Sequence, residues 1–363
     1  MAGPACSDLL HAVSRTRLPH ITKVALILVA ELVTNIVDAL FGRAAPINLK
    51  RAKGRRLVVV TGGSRGIGRE VCVKLAQLNY DVHILSRNEK DAQETIRIMS
   101  AYGNEYRHTK LDLCSVGSIE AAVDAAFSLR RVDMLIANAG TCHLASSTAG
   151  GMEINMATNY YGHFVLVHSM VRHMSPRHAR IVFTSSSVVF STDSTRATGL
   201  GVHNFTHNYS ASKYCGLLLA LHTKKRYRIR CVSVHPGVVH TALFRGGWAA
   251  PLFRLFMLAA RFALTSRKRA ALNVLNAALH PGVSLRSERC DFFVGANASR
   301  RPQSTSVSEA ARLHARTCSV LREMGLRCPT AKGRRRRDRG GRPRRALRSP
   351  CTSMQGPRGG SES

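Results

Sequence analysis

No two cysteines stand in Cys-x-x-Cys spacing; the ten of them, at 6, 72, 114, 142, 215, 231, 290, 318, 328 and 351, are scattered along the chain. That spacing argues against a zinc knuckle or a disulfide framework, so no metal is expected and buried thiols in a reducing compartment are. Acidic residues are scarce, 21 against 54 Lys and Arg, giving a formal charge of +33. A field of that sign favours an anionic cofactor, anionic lipid headgroups or non-specific nucleic-acid contact. Zinc-finger spacing, RNA-recognition signatures and aromatic-rich basic strands are all missing, so sequence-specific reading of nucleic acid is not expected.

Long hydrophobic runs are lacking too. The most apolar stretch, Val24 to Phe41, has an uninterrupted core of only seven residues before Glu31, Thr34, Asn35 and Asp38 break it at helical spacing. A spanning helix needs about 20 mostly apolar residues, and intramembrane carboxylates are costly. An amphipathic helix lying in a membrane interface fits better, although its polar face is acidic where lysine and arginine are usual. Arg15, Arg17 and Lys23 also suit a mitochondrial transit peptide, and a helix packed on the protein's own surface is the third reading. If the segment spans, the six basic residues between Arg43 and Arg56 leave the main domain in the cytosol.

What is present falls into three zones. Residues 1–52 form the apolar, amphipathic targeting or anchoring segment. Residues 53–330 alternate short β-rich runs with helical periods. Leu57–Val60, Val82–Leu85, Met134–Ile136, Ile181–Phe183, Cys231–Val234 and Phe292–Val294 read as strands, with Ile67, Val71, Leu75 and Leu78 marking a helix face between the first two. Strands separated by helices imply right-handed crossovers, hence one α/β domain: a doubly wound, Rossmann-type parallel sheet with helices on both faces. Residues 331–363 carry +9 of the charge and almost no apolar periodicity, so disorder is expected there.

The run Thr61-Gly62-Gly63-Ser64-Arg65-Gly66-Ile67-Gly68 follows the first strand and opens a helical pattern. In that context Gly62 permits the tight turn, Gly66 lets the backbone approach a diphosphate, and Gly68 allows close helix–strand packing. The helix N-terminus favours the anion through its free amides and dipole. The second strand ends in Ser86-Arg87 where an NAD site wants a carboxylate. With Arg65 in the turn, two guanidinium groups suit a 2′-phosphate, so NADP(H) is preferred over NAD(H).

Further ordered motifs are Asp112-Leu113, Asn138-Ala139-Gly140, Asn159-Tyr-Tyr-Gly162-His-Phe164, Ser186, Tyr209-x-x-x-Lys213 and Pro236-Gly237-Val-Val239-His-Thr241. Over about residues 53–325 the chain resembles a short-chain dehydrogenase/reductase. The Ser-Arg pair, the Asn-Tyr-Tyr-Gly-His-Phe box and the long interval from Ser186 to Tyr209 are similar to the retinol dehydrogenase-like branch. The resemblance implies that Asp112 and Leu113 lie by the adenine ring and that Asn138, Ala139 and Gly140 line the cofactor floor. It implies a catalytic tetrad of Asn159, Ser186, Tyr209 and Lys213, with Pro236, Gly237, Val239 and Thr241 at the nicotinamide end. It also implies a seat on the endoplasmic reticulum membrane with the domain facing the cytosol, the cytoplasm and mitochondrion being the alternatives. A homodimer through the helices bearing Asn159 and Tyr209 is left open. The departure is Ala137, where many members carry an asparagine.

A free tyrosine titrates near pH 10. Lys213, one helical turn on, is expected to lower the Tyr209 pKa so that the phenol exchanges a proton with an alcohol or carbonyl. Ser186 is expected to hold the substrate oxygen and Asn159 to position a relay water. Residues 244 to 265 supply apolar side chains for a lipophilic alcohol or its ketone or aldehyde, of retinoid, steroid or polyprenoid kind. A cofactor-binding scaffold without turnover is the alternative.

Overall fold

The computed structural model describes residues 3–328, except 41–46, 128–130, 144–147, 150, 176–177, 193–204, 240–243, 246–263, 289, 303 and 327. Thr241, most of the expected substrate segment and the basic tail therefore lie outside the described residues.

Two helices come first, α1 (Gly3–Arg15) and α2 (His20–Leu40). The sheet begins with β1 (Leu57–Thr61), followed by α3 (Gly66–Gln77), β2 (Asp81–Ser86), α4 (Glu89–Met99), β3 (Tyr106–Lys110), α5 (Val116–Phe127) and β4 (Met134–Ala137). Helix α6 (Gly162–Met170), β5 (Arg180–Thr184), α7 (Phe205–Tyr227), β6 (Arg230–His235), α8 (Arg267–Leu279), β7 (Phe292–Val294), β8 (Asn297–Ser299) and α9 (Val307–Glu323) complete it. Strand order is β8-β7-β6-β5-β4-β1-β2-β3, parallel throughout except for the terminal β7–β8 hairpin. The doubly wound parallel sheet read from the sequence is observed, each expected strand running at most a residue longer at either end.

Pleating explains the continuous apolar strands. In β1, Leu57 and Val59 face a core with α5, α6, α7 and α9, while Val58 and Val60 face one with α3, α4 and α8. A parallel sheet buried on both sides needs apolar residues at every position, and β1 is buried along its whole length. The order reverses between β1 and β4, and the crevice at that switch point is where an open α/β sheet takes a ligand.

The first forty residues pack on this domain. Ser7 Oγ pairs with Ser299 Oγ at 2.6 Å, the His11 ring meets Phe190 edge-on, and His20 Nε2 lies 3.1 Å from Ser191 Oγ. At 100° per residue, Ile27 and Glu31, both buried, fall on one side of α2 together with Val24 and Leu28. Leu26, Val29, Val33 and Ile36 fall opposite, each 41–56% exposed. The helix is thus turned inside out, its acidic face toward protein and its apolar stripe outward. His20–Asp38 is long and apolar enough to cross a membrane by length and composition, with a mean hydropathy of 1.7.

The expectation that every cysteine is a thiol fails at one place. Cys318 and Cys328 are disulfide-bonded, the chain folding back after α9 to bring their Cα atoms to 5.1 Å. A ten-residue separation across a helix end has no recognisable spacing, so sequence reading had no signal for it. Seven other cysteines are free thiols among the described residues.

A buried ion pair ties the end of α7 to the sheet. Lys224, on the last turn of α7, bonds Asp291 at 2.5 Å beside the start of β7, with side chains 4% and 6% exposed. Removing one partner strands a buried charge. Lys224→Met is expected to cost about 3–5 kcal/mol in chemical denaturation, and adding Asp291→Leu to recover most of it. Equal losses in the single and double variants would show that the pair does not anchor α7.

Candidate active site

Backbone geometry builds the anion end first. Gly62 and Gly66 adopt left-handed φ of 68° and 59°, which side chains disfavour. A Cβ on Gly62 would lie 2.9 Å from the Ala139 Cα, and one on Gly68 would strike the Gly62 carbonyl and the Asn138 amide. The turn is therefore a cradle kept open for a group that approaches backbone closely. Helix α3 begins at Gly66 with no side-chain cap on its first amides, leaving them as anion donors.

The floor is tied by one hydroxyl. Thr61 Oγ1 accepts from the Asn138 and Ala139 amides at 3.0 and 2.9 Å, and lies 3.1 Å from His163 Nε2. His163 Nδ1 donates to the Asn159 carbonyl at 3.3 Å, so Nε2 is the acceptor for the Thr61 hydroxyl. Burial lowers His163 to about 4, keeping it neutral as this relay requires. Asn138 Nδ2 reaches the Thr61 carbonyl at 3.1 Å and supplies bracing of its own beside Ala137. The sequence shows only that His163 follows Asn159 by one helical turn; its burial, which gives it this role, comes with the fold.

One cleft of about 810 Å3 joins the cradle to the catalytic side chains. Gly62, Ser64, Arg65, Gly66, Ile67 and Gly68 line one end, with Ser86, Arg87, Asp112 and Leu113 beside them. Asn138, Ala139 and Gly140 form the floor, and Ser186, Tyr209, Lys213, Pro236, Gly237 and Val239 close the far end. Arg65 and Arg87 are both exposed at the rim. Ser86 Oγ bonds the Asn88 carbonyl and His108, and Asp112 accepts from the Cys114 amide, so both also shape their own turns. A cradle of this form, with a floor of backbone and small side chains, fits a dinucleotide.

At the far end Ser186 hydrogen-bonds the Tyr209 side chain, which selects it over its neighbours. Ser185 Oγ is buried without a partner and Ser187 is buried in a 3₁₀ turn. Lys213 Nζ donates to the Thr184 carbonyl at 3.0 Å and stands 5.9 Å from the Tyr209 ring centre. Burial lowers the lysine to about 8.

One expectation changes here. The Tyr209 phenol is pushed up rather than down: burial acts first, with Cys142 and Glu31 in the same direction, against the hydrogen bond to Ser186. Desolvation of a phenolate is the largest effect, and the Ser186 hydrogen bond offsets only part of it. The Asn159 side chain is engaged with its neighbours. Its Oδ1 accepts from the Thr141 amide at 2.8 Å, and its Nδ2 donates to the Thr141 carbonyl and Ser212 Oγ, both at 2.9 Å. It sits outside the described cleft lining, in a π-turn at Ala157–Tyr161, and braces the floor to α7.

Sequence reading also missed the contribution of α2. Val24 and Leu28 line the cleft, and buried Glu31 accepts from His235 Nε2 at 3.0 Å. No local pattern pairs residues 204 positions apart. Cys142, another lining residue, has its thiol pushed up to about 12 by burial and stays protonated.

Residues 56–250, more than half the chain, match the family model for short chain dehydrogenase. Retinol dehydrogenase 11 of Mus musculus is 30% identical over 216 residues, covering 56% of this chain and 68% of that protein. An uncharacterized oxidoreductase of Schizosaccharomyces pombe is 28% identical over 260 residues, covering 63% and 74%. Among solved structures, a putative uncharacterized protein from Mycobacterium paratuberculosis superposes with a TM-score of 0.54 at 21% identity, covering 78% of this chain and 97% of that one. A Serratia marcescens short-chain dehydrogenase/reductase gives 0.51 at 20% identity, covering 66% and 97%; both likenesses concern the fold.

Proposed function

Since the chain belongs to the short-chain dehydrogenase/reductase family, in its retinol dehydrogenase-like branch, and is an oxidoreductase, we propose that it reduces a lipophilic ketone or aldehyde with NADPH, Tyr209 being the acid. The observation that carries this is the Ser186–Tyr209 hydrogen bond in a cleft continuous with the glycine cradle. When bound, the cofactor supplies a hydride to the carbonyl carbon. The Tyr209 hydroxyl then gives its proton to the carbonyl oxygen, which Ser186 holds while negative charge develops. A phenol kept protonated by burial suits a donor, so its raised pKa favours reduction over alcohol oxidation.

NADP(H) is favoured over NAD(H) by Arg65 and Arg87 at the cleft rim, where β2 ends without a carboxylate. A lipophilic substrate is supported by Val24, Leu28, Val188 and Val239 in the cleft wall, and by the retinol dehydrogenases among the relatives. Attachment to a membrane surface is supported by the outward apolar stripe of α2, which a water-facing helix would carry on its other side. That places the wall formed by Val24 and Leu28 on the same helix as the membrane contact, a short route for an apolar substrate.

Three measurements test the reading. NADPH oxidation monitored with retinal, steroid ketones and long-chain aldehydes is expected to show turnover, and Tyr209→Phe to lose most of it with NADPH affinity near normal. NADPH binding without any turnover would favour a scaffold. Arg87→Asp is expected to shift preference toward NADH, and an unchanged ratio would refute the 2′-phosphate assignment. Val29→Asp with Val33→Asp is expected to release the protein from vesicles of neutral lipid in flotation, leaving NADPH binding intact; retention would refute the attachment through α2.

A further inference from the structure

Away from the cleft, helices α6, α7 and α9 each turn one histidine into a common space: His168, His222 and His314. One imidazole nitrogen from each lies within 4.8 Å of the other two. His168 Nε2 and His314 Nε2 are 3.1 Å apart, and the His222 and His314 rings stack at 4.0 Å. Phe164 and Tyr227 wall the space, their rings 4.2 and 5.6 Å from His168. These residues are separated by 54 and 92 positions in sequence, so no ligand spacing announced them and no metal was expected.

Proton bookkeeping identifies which nitrogens are free. His168 Nδ1 lies 2.7 Å from the Phe164 carbonyl, which can only accept, so Nδ1 carries the hydrogen. Burial lowers His168 to about 3, so the ring is neutral and its Nε2 carries a lone pair, which accepts from His314 Nε2 until an ion takes that hydrogen's place. His222 Nε2 is buried with no hydrogen-bond partner, which is costly for a polar atom. His222 is lowered to about 4 and His314 is lowered as well, burial being the first cause in each. All three are therefore in the neutral form that binds metal. An imidazole held by a backbone carbonyl through Nδ1, with Nε2 presented, is the arrangement a metal-ligating histidine uses.

We propose that His168, His222 and His314 bind one divalent transition-metal ion of the zinc class, stapling α6, α7 and α9 together outside the active cleft. Three imidazoles at about 2.0–2.1 Å from a tetrahedral zinc put their nitrogens about 3.3 Å apart, close to the His168–His314 separation. The His222 ring has to turn out of its stack on His314 and approach, and the ion then satisfies its orphaned nitrogen. The fourth position is left to water. Cys318 Sγ lies 4.0 Å from His314 Nδ1 but is held in its disulfide. Arg226, exposed on α7, is the one cation among the described residues that acts on all three rings, and it opposes the ion.

The test uses the full chain, without a histidine tag, dialysed against chelator under non-reducing conditions. Zinc chloride titrated by calorimetry is expected to bind at one equivalent and raise the melting temperature. Cobalt(II) is expected to give a tetrahedral visible spectrum with no thiolate charge-transfer band. His222→Ala and His314→Ala are each expected to weaken zinc by on the order of 100-fold or more and to remove the thermal shift. NADPH binding, retained in both, shows that they fold. Arg226→Gln, a surface change, is expected to tighten zinc binding severalfold. Absence of zinc binding by the parent protein overturns the proposal. So does affinity unchanged in both histidine variants, which would place the ion among the chain's other histidines. If either variant fails to fold, an unaltered affinity in Arg226→Gln together with a thiolate band in the cobalt spectrum overturns it.

Discussion

Much of this molecule depends on the hydroxyl of Thr61. It stands at the end of β1, where the sheet order reverses, and ties two amides of the β4 exit to a buried neutral histidine on α6. That histidine holds the carbonyl of Asn159, and the Asn159 side chain holds Thr141 and the serine beside Lys213. Cradle, floor and catalytic helix are thus parts of one hydrogen-bonded chain with each tautomer set by its neighbours. In a low-dielectric interior such a chain is rigid when fully satisfied and costly when any member is lost.

Around that frame the same physics produces opposite outcomes at two aromatic or imidazole groups. Burial keeps the Tyr209 phenol protonated and the His163 ring unprotonated, because in both cases the charged form is the one that loses its hydration. One side chain thereby stays a phenol beside Ser186, and the other stays an acceptor for Thr61. Lys213, lowered to about 8, stands between these behaviours and is held by the Thr184 carbonyl.

The N-terminal helices join the catalytic domain to whatever lies outside it. Glu31 holds the polar side of α2 inward: one oxygen of its carboxylate accepts from His235 Nε2 in the interior, whereas the apolar residues opposite carry no polar group that needs a partner. Hydropathy read along the chain shows an interrupted apolar run and stops there. Which side of the helix meets protein is decided by residues 171 and 204 positions away.

Local and periodic features were therefore legible from the amino-acid order. Buried strands announce themselves as β-branched runs, the glycine turn by its place between β1 and α3, and the reactive tyrosine and lysine by one helical turn of spacing. These properties depend on near neighbours in sequence, and the parallel sheet follows from their alternation. Tertiary structure alone decided the sign of the Tyr209 shift, the employment of the Asn159 amide, the Cys318–Cys328 bridge, the inward face of α2 and the meeting of three histidines from three helices. Each of these depends on desolvation or on contacts between distant segments, quantities that exist only once the chain has closed around them.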